Sequence, residues 1–125
     1  MTAEARLDGV TVLVVEDEYY IATDTARALQ GAGAEVIGPF RTEKAARSAV
    51  DEQRPDAVIV DINLGVGPSF KLAETLKDRG IPFVFVTGYD QQVIPEAFSD
   101  VKRLEKPVQL RRVVDAVSAL LTPAG

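Results

Sequence analysis

Five short apolar runs punctuate the chain, and each gives way abruptly to polar or turn-forming residues. They are VTVLVV at 10–15, EVIG at about 35–38, AVIVD at 57–61, PFVFVT at 82–87 and KRLE at about 102–105. Their length and their β-branched and aromatic content predict strands. Between them the apolar spacing lengthens to the helical period. Ile21, Ala22, Ala26 and Leu29 share one face of a helix expected over about 19–31, with Gly31 and Gly33 as its stop. Thr42 is placed to cap a second helix reaching about Gln53, ended by Pro55. A third, about 69–79, takes Ser69 as its N-cap and turns Phe70, Ala73 and Leu76 inward. The last, about 108–121, carries Leu110, Val113, Val114, Val117, Leu120 and Leu121 as one stripe. The window GYDQQVIPEAFSD, 88–100, is weaker: Pro95 interrupts it and the stripe is sparse. A short or frayed helix with few contacts is expected there.

Short strands alternating with helices predict an α/β fold, a doubly wound parallel sheet with right-handed crossovers. Ligands of such sheets bind beyond the carboxyl ends of the strands. Glu16 and Asp17 follow the first strand, Asp61 ends the third, Thr87 ends the fourth and Lys106 follows the fifth. All five therefore belong to one edge of the sheet. That placement explains why a core strand ends on Asp61, since a buried carboxylate is costly unless paired.

Composition narrows the chemistry. At 125 residues with 46% apolar and 26% charged residues, the sequence suits one domain with a single core. The net charge of −5 disfavours nucleic acid and anionic lipid as partners. No run approaches the ~20 apolar residues of a membrane span, and MTAEARLDG has no signal-peptide pattern, so a cytoplasmic location is expected. Without cysteine there are no disulfides or thiol nucleophiles; without histidine there is no imidazole base or ligand. Carboxylates, hydroxyls, lysine and oxygen-bound metals remain.

Three carboxylates crowded at one rim repel one another by about 3 kcal/mol per pair at ~5 Å and an effective dielectric of ~20. One lysine does not neutralise three charges. A hard divalent cation does, and magnesium is commonly held by one or two carboxylates with water and phosphate. With cation and lysine in place the rim attracts a phosphoryl group, and Asp61 becomes a candidate carboxylate nucleophile. Thr87 and Lys106 would then stabilise the phosphoryl oxygens.

The motifs VLVVEDE, DAVIVDINL, FVFVTG and EKP resemble the receiver domain of two-component response regulators, over roughly residues 9–122 of a single domain spanning 1–125. The resemblance implies a flavodoxin-like sheet of order 2-1-3-4-5 and phosphorylation by a histidine kinase. It implies Glu16, Asp17, Asp61 and the Asn63 carbonyl as Mg²⁺ ligands, Asp61 as phosphoacceptor, and Thr87 and Lys106 as phosphoryl-binding groups. A histidine phosphotransfer protein or a target protein is the further partner implied. PFVFVTGYD is similar to single-domain receivers with a Phe-Ala-Thr-Gly-type fourth strand, with Val86 in place of the alanine. One departure concerns the switch. Where much of the family has an aromatic residue three places before the lysine, this chain has Arg103, and Tyr89 is a nearby substitute candidate. Lys102, Arg103, Arg111 and Arg112 would give a partner surface a basic rim.

Other readings stand beside this one. A haloacid-dehalogenase-type phosphatase also uses an aspartate, a threonine and a lysine, but DINLG lacks the second aspartate of its motif. A nucleotide-binding flavodoxin-like domain would want glycine or hydroxyl residues where EDEYY stands. A pseudo-receiver would not need the acidic pair. A phosphate sink and a receiver cut from a longer protein fit the same residues.

Overall fold

The computed structural model describes residues 6–62, 70–88 and 94–122. Five parallel strands form one sheet in the order β2-β1-β3-β4-β5. They are β1 (Thr11–Val15), β2 (Glu35–Phe40), β3 (Ala57–Asp61), β4 (Phe83–Thr87) and β5 (Arg103–Glu105). Among the described residues four α-helices cover the sheet: α1 (Tyr19–Gly31), α2 (Glu43–Glu52), α3 (Lys71–Asp78) and α4 (Leu110–Leu121). The chain is thus the expected α/β, doubly wound parallel sheet. None of the described helices is long and apolar enough to cross a membrane.

The continuous apolar runs form strands buried on both faces, as helix-covered parallel sheets require. All five residues of β3 and all five of β4 are buried. Side-chain alternation divides the core in two. On one face Leu13, Val15, Val58, Val60, Phe83 and Phe85 pack against Ala46, Ala49 and Val50 of α2 and Leu72, Ala73 and Leu76 of α3. On the other, Val12, Val14, Ile59, Val84 and Val86 meet Leu29 of α1 and Val113, Ala116 and Val117 of α4. Each of the valine, leucine, isoleucine and phenylalanine side chains contributes about 1.5–3 kcal/mol when fully buried.

Several boundaries differ from expectation, for local reasons. Thr42 caps α2 as foreseen, its Oγ1 accepting the Ala45 N–H at 3.2 Å. Ser69 lies outside the described residues; the visible support for α3 comes from Glu43, whose Oε2 accepts the Leu72 N–H at 2.8 Å. The last helix begins at Leu110 instead of 108, because Gln109 is still extended with ψ 130°. Leu110, expected inward, is consequently 40% exposed on the first turn.

The window before β5, expected as a short or frayed helix, is short indeed. Among the described residues it forms a 3₁₀ turn over Glu96–Phe98, not an α-helix. Its sparse stripe is nevertheless well anchored. Phe98 is buried among Phe70, Phe83 and Phe85, at centroid distances of 5.9–6.2 Å. Lys77 adds a cation over that ring and donates to the Ala97 carbonyl at 2.6 Å. Phe98 supplies the contacts that the short apolar pattern concealed.

Candidate functional site

The site is assembled at the carboxyl edge of the sheet, one strand end at a time. At β1, Leu13 pairs with Ile37 but Val15 with Phe40, so β2 carries an extra residue. Gly38 makes that irregularity possible: its φ is +97°, and a Cβ there would come within 2.8 Å of the Phe40 nitrogen. The shifted Phe40 carbonyl accepts the Glu16 N–H at 2.9 Å. Glu16 is thereby fixed just beyond β1, 4% exposed, with Asp17 half-buried beside it. Asp61 closes β3 at 1% exposure, and the next peptide is tied by the Ile62 N–H to the Val86 carbonyl at 3.1 Å. Thr87 ends β4, also buried, and its carbonyl accepts the Lys106 N–H at 2.8 Å.

Those four strand ends bring the side chains together. One oxygen each from Glu16, Asp17 and Asp61 lie within 4.8 Å of one another. Lys106 Nζ approaches Glu16 Oε1 at 3.1 Å, Asp61 Oδ2 at 3.2 Å and Glu18 Oε1 at 3.4 Å. The crowding shows in the titration of the groups. Burial, followed by the hydrogen bond and charge of Asp61, pushes Glu16 up to about 8 against the pull of Lys106. Burial works to lower the Lys106 ammonium, but Asp61 and Glu16 outweigh it and its pKa is raised.

A buried acid pushed up first by its burial and then by a neighbouring carboxylate marks a site with more negative charge than Lys106 offsets. The donor set is three hard oxygens, which suits a cation of the magnesium class. The residues fit such an ion: a divalent charge would offset both the burial and the Asp61 charge that raise Glu16. Lys106, pointed at the same carboxylates, is the group that an incoming anion would share.

A comparison with known proteins decides the family. The response regulator receiver domain profile matches residues 12–118. The chain belongs to that family. Among curated relatives, the phyllosphere-induced regulator PhyR of Methylorubrum extorquens is 34% identical, matched over 88% of this chain and 43% of its own. The chain spans about half the length of the curated relatives it matches. Among solved structures, SdrG from Sphingomonas melonis Fr1 is 35% identical with a TM-score of 0.77, covering 98% of this chain and 100% of that one. A structure described as the BeF3-activated conformation of SdrG, from Pseudomonas melonis Fr1, is 36% identical with a TM-score of 0.76, covering 90% of this chain and 96% of that one.

As a receiver, the chain has its expected order 2-1-3-4-5 and an acidic pocket consistent with a phosphoaspartate site. Glu16, Asp17, Asp61 and Lys106 converge as the strand ends foretold, with Thr87 at the end of the neighbouring strand. Asn63 and Tyr89 lie outside the described residues. Arg103 opens β5 opposite Phe85 and is exposed to solvent. Lys102, Arg111 and Arg112 are exposed as well. Sequence reasoning missed Glu18, which the structure brings to Lys106. The signal was present in the run EDE: a third acid beside an acidic pair at a strand end.

Proposed function

We propose that this receiver accepts a phosphoryl group on Asp61 from the phosphohistidine of a histidine kinase or of a histidine phosphotransfer protein, and that the modified form binds a target protein. The observation that carries the reading is Asp61 itself. It is a 1% exposed carboxylate at a strand end, 3.2 Å from Lys106 and in one cluster with Glu16 and Asp17. Glu16, Asp17 and Asp61, with the Asn63 carbonyl, would hold Mg²⁺. When bound, that ion offsets the charge of the carboxylates and of the arriving phosphoryl oxygens.

The chain's own groups do the rest. Asp61 Oδ attacks phosphorus and forms the new O–P bond. The P–N bond of the donor breaks, and the imidazole leaves with its electron pair. Lys106, already within hydrogen-bonding range of Asp61, stays with the charge as it moves onto the phosphoryl oxygens. The Thr87 hydroxyl, at the adjacent strand end, is the second donor to those oxygens. A readout through Thr87 and Tyr89, with Arg103 at the edge of the partner surface, replaces the missing aromatic coupling. A cytoplasmic site of action fits this chemistry.

Beryllium fluoride, which stands in for a bound phosphoryl group, supplies the test. Amide resonances of Asp61, Thr87, Gly88 and Lys106 should shift on addition of beryllium fluoride with Mg²⁺, and not without Mg²⁺. Shifts that persist in Asp61→Asn, or their absence from the parent protein, would overturn the assignment.

A further inference from the structure

Among the described residues, Glu18 is the acid of the site that the phosphoryl chemistry leaves without a role. It is the N-cap residue of α1, with extended backbone at φ −83° and ψ 112°, yet its side chain makes no capping bond. The carboxylate turns to Lys106 instead, 3.4 Å from Nζ, and the same Nζ is 3.2 Å from Asp61 Oδ2. The two carboxylates are therefore separated by one ammonium. They differ in depth: the Glu18 side chain is 60% exposed and the Asp61 side chain 1%. Glu18 thus lies on the solvent side of Lys106 and Asp61 on the buried side.

Charge balance gives that position a consequence. A divalent cation and Lys106 together balance the three deeper carboxylates, Glu16, Asp17 and Asp61. The charge of Glu18 then remains uncompensated within this group, facing an incoming anion. We propose that Glu18 is a specificity-determining charge filter on the phosphodonor. It disfavours free, doubly anionic acyl phosphates relative to donors of lower negative charge, such as a phosphoimidazole set in a basic protein surface. The inference rests on the receiver reading of Asp61. Glu18 touches no reacting atom; it acts through its field.

Two small donors separate this role from a structural one. Acetyl phosphate is a dianion, and Asp61 displaces acetate, which leaves with the electron pair of the P–O bond. Phosphoramidate is a zwitterion with one net negative charge, and its P–N bond breaks with ammonia leaving. Because Coulomb energy scales with donor charge, Glu18→Gln should speed the acetyl phosphate reaction by roughly three- to tenfold at low salt, falling towards about twofold at ~0.15 M. The gain with phosphoramidate should be about the square root of that factor. Glu18→Asp, which keeps the charge, should retain the parent's donor ratio and salt dependence. The same field acts oppositely on a cation, so Mg²⁺ titrated by its effect on melting temperature should bind Glu18→Gln more weakly. Equal gains for the two donors, a gain independent of salt, or tighter Mg²⁺ binding would each overturn the filter. If neither donor modifies Asp61 in the parent protein, the receiver reading falls and the filter with it. If the parent is modified and Glu18→Gln behaves identically, only the filter falls.

Discussion

Two aspartates bracket the same strand, Asp56 just before β3 and Asp61 at its end, and they have opposite fates. Asp56 is exposed; its Oδ2 accepts the Thr11 N–H at 2.8 Å, and its own N–H reaches the Thr11 carbonyl at 2.8 Å. It pins the start of β3 to β1 and is otherwise solvated. Asp61 is buried, clustered with two further acids and bonded to Lys106. One carboxylate relieves a strand's unpaired backbone, while the other lies among like charges that a bound cation would offset. The difference comes from the direction of the sheet. In a parallel sheet every strand delivers its last residue to the same edge, so polar strand ends accumulate there and nowhere else.

Exchange at the two positions gives the largest contrast. Asp61→Asn should lose phosphorylation by acetyl phosphate altogether, while Asp56→Asn stays within about twofold of the parent rate; time courses on phosphate-affinity gels read both. Lys106→Ala should slow the same reaction by about 10²-fold, the scale for a lost electrostatic donor.

The next effect is thermodynamic and belongs to the Asp61 end alone. Glu16 has a folded value of about 8 against an ordinary value of 4.5. The folded state therefore holds a proton that the unfolded state has released over that interval. Stability must fall as pH rises from about 4.5 to about 8 and level off above. Denaturant unfolding at pH 5, 6.5 and 8 in chelator should show that decline, and Glu16→Gln should flatten it. A decline of equal size in Glu16→Gln would place the titrating group elsewhere. At pH 8, Mg²⁺ at ten times its dissociation constant should restore about 1.4 kcal/mol. The smallest effect lies at the other end: Asp56→Ala should cost about 1 kcal/mol, the worth of one hydrogen bond to a backbone N–H.

The sequence made the same edge legible, because strands of pure core residues ending in Asp61 and Thr87, or followed by Glu16 and Lys106, leave little freedom in where those side chains go. The span of α1 and the Thr42 cap were equally readable, since periodicity and capping are local. What escaped depends on tertiary partners. Glu43 supports α3 from another helix, and Phe98 secures a 3₁₀ turn through an aromatic cluster contributed by Phe70, Phe83 and Phe85. Leu110 continues the stripe of α4 in sequence but sits on its exposed first turn. The pairing of Glu18 carried no signal of its own in the sequence, because its partner Lys106 lies 88 residues away.

The central claim is that Asp61, and not another carboxylate, carries the phosphoryl group. Peptide mapping by mass spectrometry, after treatment with acetyl phosphate and Mg²⁺, addresses it most directly. The account predicts one added phosphoryl group, located on Asp61 and absent from Asp61→Asn. A phosphoryl group on Asp56, Glu16 or Asp17, or undiminished labelling of Asp61→Asn, would contradict it.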